Sequence, residues 1–208
     1  MTSQESTGTV TATAGGRTVH SSARRGLADS ALGTRNLMTI AALAVVGMIL
    51  LLPLNYLAPA AVADPRTLFI GCSIMGLWAM PYLLPAMVVR RPGAVMIAAL
   101  IMGIISVFTT PAGPTAIIGN LLSGAFIEIP LALMLYRVWT WWSYLIGAAC
   151  FGLINGLLYV VVLGTVSTIG TVALLLAVSV GSALAGGGLT ILLIRLLHQA
   201  GVAIDHRA

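Results

Sequence analysis

Six long apolar blocks dominate this chain, and between Asn36 and Leu197 only seven side chains carry a charge. A helix needs about 20 apolar residues to cross the hydrocarbon core of a bilayer. The blocks do not alternate with period two, as the strands of a membrane β-barrel would. The sequence therefore predicts an all-α membrane protein, built as a bundle of six transmembrane helices. The predicted helices cover about 37–59, 68–89, 94–110, 115–136, 142–163 and 171–194.

The basic residues indicate how this bundle is oriented. Nine of the ten lie in the N-terminal tail, in the even-numbered loops or at the C-terminal end, and Arg66, beside Asp64, is the exception. Basic residues are enriched in cytoplasmic loops, so both termini are predicted to face the cytoplasm. This topology accounts for the net charge of +5, and we infer no nucleic-acid partner from it.

Composition divides the chain into three parts. Residues 1–35 are rich in Ser, Thr, Gly and Ala, lack aromatic residues, and are predicted to form a disordered cytoplasmic tail. Residues 36–198 form the six-helix transmembrane domain, and 199–208 form a short cytoplasmic tail. A second interpretation is a cleaved signal peptide, with Ala-Val-Ala before Asp64 as its cleavage site. The first apolar block argues against cleavage, because it is long enough to span a membrane.

Missing residue types exclude several chemistries. The chain has no lysine, and therefore neither a Walker A motif nor a Schiff-base lysine. Its three histidines, His20, His198 and His206, lie in the N-terminal tail or near the C-terminal end, which leaves no parts for an intramembrane metal site or Ser–His dyad. We predict that the chain is not an enzyme and assign no catalytic residue, metal or cofactor. Any ATP hydrolysis would take place in partner subunits.

The fourth predicted helix carries an ionisable residue within an apolar block. Asn120, Gly124 and Glu128 recur every fourth residue and form one stripe along this helix. A carboxylate at membrane depth costs about 2.5–3.5 kcal/mol on insertion scales, so Glu128 is a candidate functional residue. The alternative is that Glu128 is protonated, or bonded to a neighbouring helix.

Other polar and aromatic residues repeat at helical spacing near the predicted outer side. Asn55 and Tyr56 close the outer end of the first helix. Together with Glu128, these polar and aromatic residues predict a pocket open to the outside, which suits a small, flat, partly cationic ligand. The alternatives are bonds between helices for the asparagines and core packing for the tryptophan. The predicted ligand-binding residues are Glu128, Asn120, Trp78, Tyr82, Asn155, Tyr159 and Tyr56.

Small residues at helical spacing predict close helix contacts. Ala41, Ala44 and Gly47 give the first helix a smooth surface, which we interpret as a docking face for a partner protein. The last helix carries the run Gly186-Gly187-Gly188, for which packing within the bundle is the favoured interpretation.

Several short motifs resemble one family of membrane proteins. The turn that begins Arg90-Arg91-Pro92-Gly93, the fourth-helix segment 124–128, the following Tyr136-Arg137-Val138-Trp139 and the glycine run of the last helix are similar to the YkoE-like S components. An S component is the substrate-binding membrane subunit of an energy-coupling-factor vitamin transporter. The resemblance covers roughly 36–202.

This resemblance implies uptake of thiamine or its hydroxymethylpyrimidine precursor across a bacterial plasma membrane. The chain would dock through its first helix on a transmembrane coupling protein driven by two cytoplasmic ATPases. Glu128 would contact the aminopyrimidine or thiazolium ring. The third helix departs from the family, because it has no acidic residue where the relatives have them.

Two other functions stay open on the sequence alone. One is a non-transporting membrane subunit that scaffolds a complex, with Glu128 bonded internally. The other is a small secondary transporter in which Glu128 carries a coupled proton. Replacement of Glu128 by glutamine is expected to abolish uptake by an S component but to change mainly the stability of a scaffold.

Overall fold

The computed structural model of the protein describes the backbone of residues 33–61, 65–163 and 168–199 and the side chains of 33–57, 67–161 and 168–199. The described residues form helices joined by short turns. The predicted tails, apart from residues 33–35 and 199, and the predicted cleavage site lie outside the described residues. The helices are α1 (Thr34–Ala61), α2 (Pro65–Ser73), α3 (Met75–Val89), α4 (Ala94–Thr109), α5 (Thr115–Leu133), α6 (Trp141–Leu163) and α7 (Ile169–Gln199).

The helices coincide with the six predicted apolar blocks. Five spans are long and apolar enough to cross a membrane, and α2 and α3 together make one of them. The sixth, α4, is apolar but has only 16 residues, a length of about 24 Å. The all-α fold predicted from the sequence is therefore confirmed, whereas the orientation of the termini stays a prediction.

Helix α3 is the centre of the bundle. It contacts α1, α4, α5, α6 and α7, and 13 of its 15 residues are buried. A helix that is apolar on all sides is expected in such a position. The side chains of α3 are therefore positioned by contacts with five other helices.

One feature of this span was not predicted, a break between α2 and α3 at Ile74. Ser182 of α7 bridges the break: its hydroxyl accepts a hydrogen bond from the Gly76 N–H (3.0 Å) and donates one to the Ser73 carbonyl. Backbone groups within a membrane must find partners inside the protein, and this hydroxyl supplies them. The two backbones touch here, since a Cβ on Gly186 would lie 2.2 Å from the Gly76 carbonyl oxygen.

The end of α5 also differs from the prediction, which continued this helix to residue 136. The Tyr136 N–H bonds to the Leu131 carbonyl and the Leu135 N–H to the Ala132 carbonyl, the pattern of a Schellman motif. Leu135 and Tyr136 both adopt left-handed conformations, with φ of 53° and 52°. This turn directs Tyr136 back toward the bundle.

Exposed arginines mark one end of the bundle. This end contains the start of α1 and the C-terminal ends of α3, α5 and α7, because successive membrane spans run in opposite directions. The pocket described below lies at the other end. The exposed arginines are Arg35, Arg90, Arg91, Arg137 and Arg195.

Candidate functional site

A cavity of about 560 Å³ opens at the end of the bundle opposite the arginines. This volume falls in the range of about 300–1,000 Å³ found for small-molecule pockets. Helices α1, α3, α5 and α6 and the turn between α4 and α5 surround it. Its lining consists of Asn55, Met75, Trp78, Tyr82, Thr110, Pro111, Ala112, Thr115, Ala116, Gly119, Asn120, Ser123, Phe151, Asn155 and Tyr159.

Aromatic rings from α3 and α6 form one side of the cavity. The Trp78 indole N–H donates to the Asn55 side-chain oxygen at 3.3 Å, which ties α3 to α1. The rings of Tyr82 and Phe151 are 6.0 Å apart and inclined by 37°. Rings held in this way offer flat apolar faces on which a planar ligand can stack.

Asn120 is the most fully bonded polar residue of the pocket. Its amide nitrogen donates to the Ala116 carbonyl at 2.8 Å and, more weakly, to the Ser106 hydroxyl at 3.5 Å. Its amide oxygen accepts the Tyr82 hydroxyl at 2.9 Å. Asn120 is only 7% exposed, so these bonds fix the amide in one orientation.

The other two asparagines keep hydrogen-bonding capacity. The Asn155 nitrogen donates to the Phe151 carbonyl at 2.9 Å, which leaves one N–H and the amide oxygen without a partner among the described residues. The nitrogen of Asn55 also has no partner in the part of the chain that the structure describes, where only its oxygen is bonded. The pocket therefore combines apolar ring faces with unpaired amide groups, which can orient a polar ligand.

A family model described as "ABC-type cobalt transport system, permease component" matches residues 35–154, more than half of the chain. The chain belongs to this family. No curated protein sequence matches the chain.

One solved structure is similar to this permease-family chain. It is described as "Crystal structure of an S-component of ECF transporter", with a TM-score of 0.71 and 16% sequence identity. The match covers 81% of this chain and 87% of that chain. At this identity the similarity concerns the fold, which is that of a multi-pass membrane protein.

Five predicted ligand-binding residues line the cavity, namely Trp78, Tyr82, Asn120, Asn155 and Tyr159. Their role in binding stays a prediction, but the structure brings them together. Tyr56 does not line the cavity: it is 60% exposed, and its hydroxyl donates to the Thr109 carbonyl at 2.9 Å.

The prediction that Glu128 belongs to this pocket is wrong. Glu128 lies eight residues beyond Asn120 on α5, about 12 Å along the helix axis, toward the end with the arginines. Its Oε1 accepts the Gly93 N–H and the Tyr136 hydroxyl, both at 2.7 Å. Gly93 is the N-cap residue of α4, so the carboxylate lies at a helix N-terminus, which favours negative charge.

Tyr136 completes this contact from the turn after α5. Burial, with a further contribution from its hydrogen bond to Glu128, raises the pKa of the Tyr136 hydroxyl above its ordinary value. The hydroxyl therefore stays protonated and donating at neutral pH. The second carboxylate oxygen, Oε2, is buried and has no hydrogen-bond partner among the described residues.

The predicted docking face of the first helix is also wrong in two of its three residues. Ala44 is fully buried, and a Cβ on Gly47 would lie 3.0 Å from the Pro81 side chain. These small residues let α1 approach α3 and α4, so they serve packing within the bundle. Ala41 is partly exposed, and any docking role for it stays a prediction.

Sequence reasoning did not assign several lining residues to the pocket. Ser123 follows Asn120 by three positions, and Phe151 precedes Asn155 by four, so helical spacing from the predicted residues could have found them. Asn55 was noted only as closing its helix. The turn between α4 and α5, from Thr110 to Thr115, carries no such periodic signal.

Proposed function

We propose that this protein is the substrate-binding S component of an energy-coupling-factor importer, which captures a small vitamin-like molecule from outside the cell. The observation that carries the proposal is the cavity of about 560 Å³ lined by aromatic rings and asparagine amides. The fold similarity to an S component supports it. A transmembrane coupling protein and two cytoplasmic ATPases would supply the energy.

The chemistry of the pocket favours an uncharged ring as the substrate. Among the described residues that line the cavity, no side chain carries a charge, and Glu128 lies elsewhere. A cation such as thiamine would meet aromatic faces but no carboxylate there. Hydroxymethylpyrimidine, an uncharged flat ring with hydrogen-bonding groups, therefore fits the described lining better.

The family description names cobalt, and a bare cobalt ion fits the described lining less well. Divalent cobalt is bound in proteins by imidazole, thiolate or carboxylate groups. The residues that the structure describes contain no cluster of three or more His, Cys, Asp or Glu side chains. The lining offers amides, hydroxyls and rings instead.

Calorimetric titration of the detergent-purified full-length protein tests this proposal. We expect saturable binding of hydroxymethylpyrimidine in the nanomolar to low micromolar range, which corresponds to about −8 to −12 kcal/mol. Thiamine should bind at least about tenfold more weakly, and CoCl₂ should give no saturable heat. Saturable cobalt binding, or no heat with either ring compound on a folded protein, would contradict the proposal.

A second function, a membrane scaffold subunit, is favoured by one observation. Glu128 is bonded internally to Gly93 and Tyr136, as this alternative requires. The two functions differ in the pocket, because a scaffold has no need of a ligand. Co-purification with an ATPase and a coupling protein but binding of neither ring compound would favour the scaffold.

Variants of Glu128 are expected to change stability and not ligand affinity. Glu128→Ala leaves the Gly93 N–H and the Tyr136 hydroxyl without their acceptor, which should cost about 1–3 kcal/mol. Glu128→Gln keeps an oxygen for both donors and should retain most of the stability. Thermal unfolding in detergent measures the first effect, and titration with hydroxymethylpyrimidine checks that the affinity of Glu128→Gln stays within about threefold of wild type. Complete loss of binding by a folded Glu128→Gln protein would contradict the assignment of Glu128 to a structural role.

A further inference from the structure

The direction of the hydrogen bonds at Asn120 determines what this residue can offer a ligand. A carbonyl oxygen only accepts, so the side-chain atom 2.8 Å from the Ala116 carbonyl must be the amide nitrogen. The amide oxygen then faces the Tyr82 hydroxyl at 2.9 Å. Rotation of the amide by 180° would place two oxygens against each other, which excludes the opposite orientation.

The same bonds also decide the polarity of Tyr82. Its hydroxyl has one hydrogen, which is donated to Asn120. The Ser123 side chain is hydrogen-bonded to the Tyr82 oxygen, whereas the Asn120 oxygen keeps one lone pair. Both residues of the pair line the cavity, so the free acceptor that they present is the Asn120 oxygen.

Asn155 adds a further acceptor and a donor from α6. One N–H of its amide bonds to the Phe151 carbonyl, and its second N–H and its oxygen have no partner among the described residues. The amide nitrogen of Asn55 supplies donors near Trp78, in another part of the lining. The free acceptors on this wall are thus the amide oxygens of Asn120 and Asn155.

We propose that the Asn120 amide oxygen, which Tyr82 helps to orient, selects a ligand that carries a hydrogen-bond donor, an amino or hydroxyl group, at this wall. A ligand that presents a lone pair to the Asn120 oxygen would place two acceptors against each other. A ligand that presents only C–H groups would leave this oxygen without a hydrogen bond. Ser106 and the Ala116 carbonyl act as positioning groups, because they hold the Asn120 nitrogen away from the cavity. This inference rests on the proposed function only in assuming that a small organic ring occupies the cavity.

The test is titration of the full-length protein with matched pairs of uncharged rings that differ only in an amino group. One pair is 4-amino-5-hydroxymethyl-2-methylpyrimidine and its deaminated analogue, and aminated and unaminated pyridine and purine pairs serve as further probes. For at least one pair, the wild-type protein should bind the aminated member at least about tenfold more tightly than the unaminated member. The aminated member gains a hydrogen bond, whereas the unaminated member leaves a buried acceptor unpaired. Equal affinity for both members of every pair that binds would overturn this inference and leave the proposed function standing. A folded protein that binds no member of any pair would overturn both.

Variants separate selection by Asn120 from a merely structural role. Asn120→Leu removes the acceptor and frees the Tyr82 hydroxyl to donate, so the preference for the aminated member should fall below about threefold or reverse. Tyr82→Phe should lower the affinity for both members but keep the preference, because the Asn120 oxygen remains. Leu122→Ala, on the exposed side of the same helix, is the control and should keep the wild-type ratio. An unchanged ratio in a folded Asn120→Leu protein, or a lost preference in Tyr82→Phe, would overturn the inference.

Discussion

Replacement of Gly186 by alanine is expected to prevent the bundle from assembling in its native form. The added Cβ would lie 2.2 Å from the Gly76 carbonyl oxygen and 2.5 Å from its carbon, far inside van der Waals contact. Both atoms belong to backbone, so relief requires α3 and α7 to separate. We expect a loss of more than about 4 kcal/mol, in the range that only severe core substitutions reach. Size-exclusion chromatography in detergent and thermal unfolding should show aggregated or strongly destabilised protein.

The same helix offers two matched controls for this substitution. Apart from the neighbouring backbone of α7 itself, no heavy atom of the described residues lies within 4 Å of a Cβ placed on Gly181 or Gly188. Alanine is a better helix former than glycine by about 1 kcal/mol, so both controls should be as stable as the wild type or slightly more stable. Gly76→Ala should behave like Gly186→Ala, because its Cβ would lie 2.1 Å from the Ser182 carbonyl oxygen. A Gly186→Ala protein with a wild-type melting temperature would contradict the close crossing of α3 and α7.

The apolar blocks made most of the fold predictable. A run of about 20 apolar residues has few alternatives to a membrane helix, and the six blocks agree with the helices to within a few residues at most ends. The break at Ile74 was not predictable in the same way. It depends on the Ser182 hydroxyl, which is distant in sequence and replaces backbone bonds that a continuous helix would make for itself. The left-handed turn at Leu135 was missed because the glycine that usually marks such a position is absent.

Helical spacing identified several residues that line one cavity, but it did not give the extent of that cavity along the helix axis. Asn120 and Glu128 do share one buried face of α5, as their spacing indicated. A shared face does not place two residues at the same depth, however, and the stripe runs from the cavity at one end to the turn at Gly93 near the other. The contacts of Glu128 with Gly93 and Tyr136 depend on how α4 and α5 pack against each other. The spacing of residues within one helix gives no information about that packing.

Small residues on α1 were misassigned for a related reason. A smooth helix face predicts a close approach but does not say which helix approaches. Ala44 and Gly47 contact the interior of this chain, and α3 occupies the place that we predicted for a partner. The exposed side of α1 instead carries large apolar residues such as Val46 and Ile49.

Replacement of Trp78 by alanine is expected to cause the largest loss of ligand affinity among the residues of the pocket. The indole contributes a flat wall and also holds Asn55 through its N–H at 3.3 Å, so the variant loses a stacking surface and frees a polar group. Stacking of a heteroaromatic ring on an aromatic side chain contributes about 1–3 kcal/mol by alanine substitution. This corresponds to roughly a 5- to 150-fold rise in the dissociation constant for hydroxymethylpyrimidine. Calorimetric titration measures the change directly.

Because Trp78 is only 8% exposed, the alanine variant should also unfold at a lower temperature, and a second substitution separates the two effects. Trp78→Phe keeps a ring but loses the bond to Asn55, so it should retain more of the affinity than Trp78→Ala. Leu77→Ala changes the neighbouring residue, which does not line the cavity, and should bind as the wild type does. If Trp78→Ala lowered the melting temperature but bound hydroxymethylpyrimidine with wild-type affinity, the indole would serve core packing alone. Loss of affinity in a protein that remains folded at the temperature of the titration would instead place the ligand against this ring.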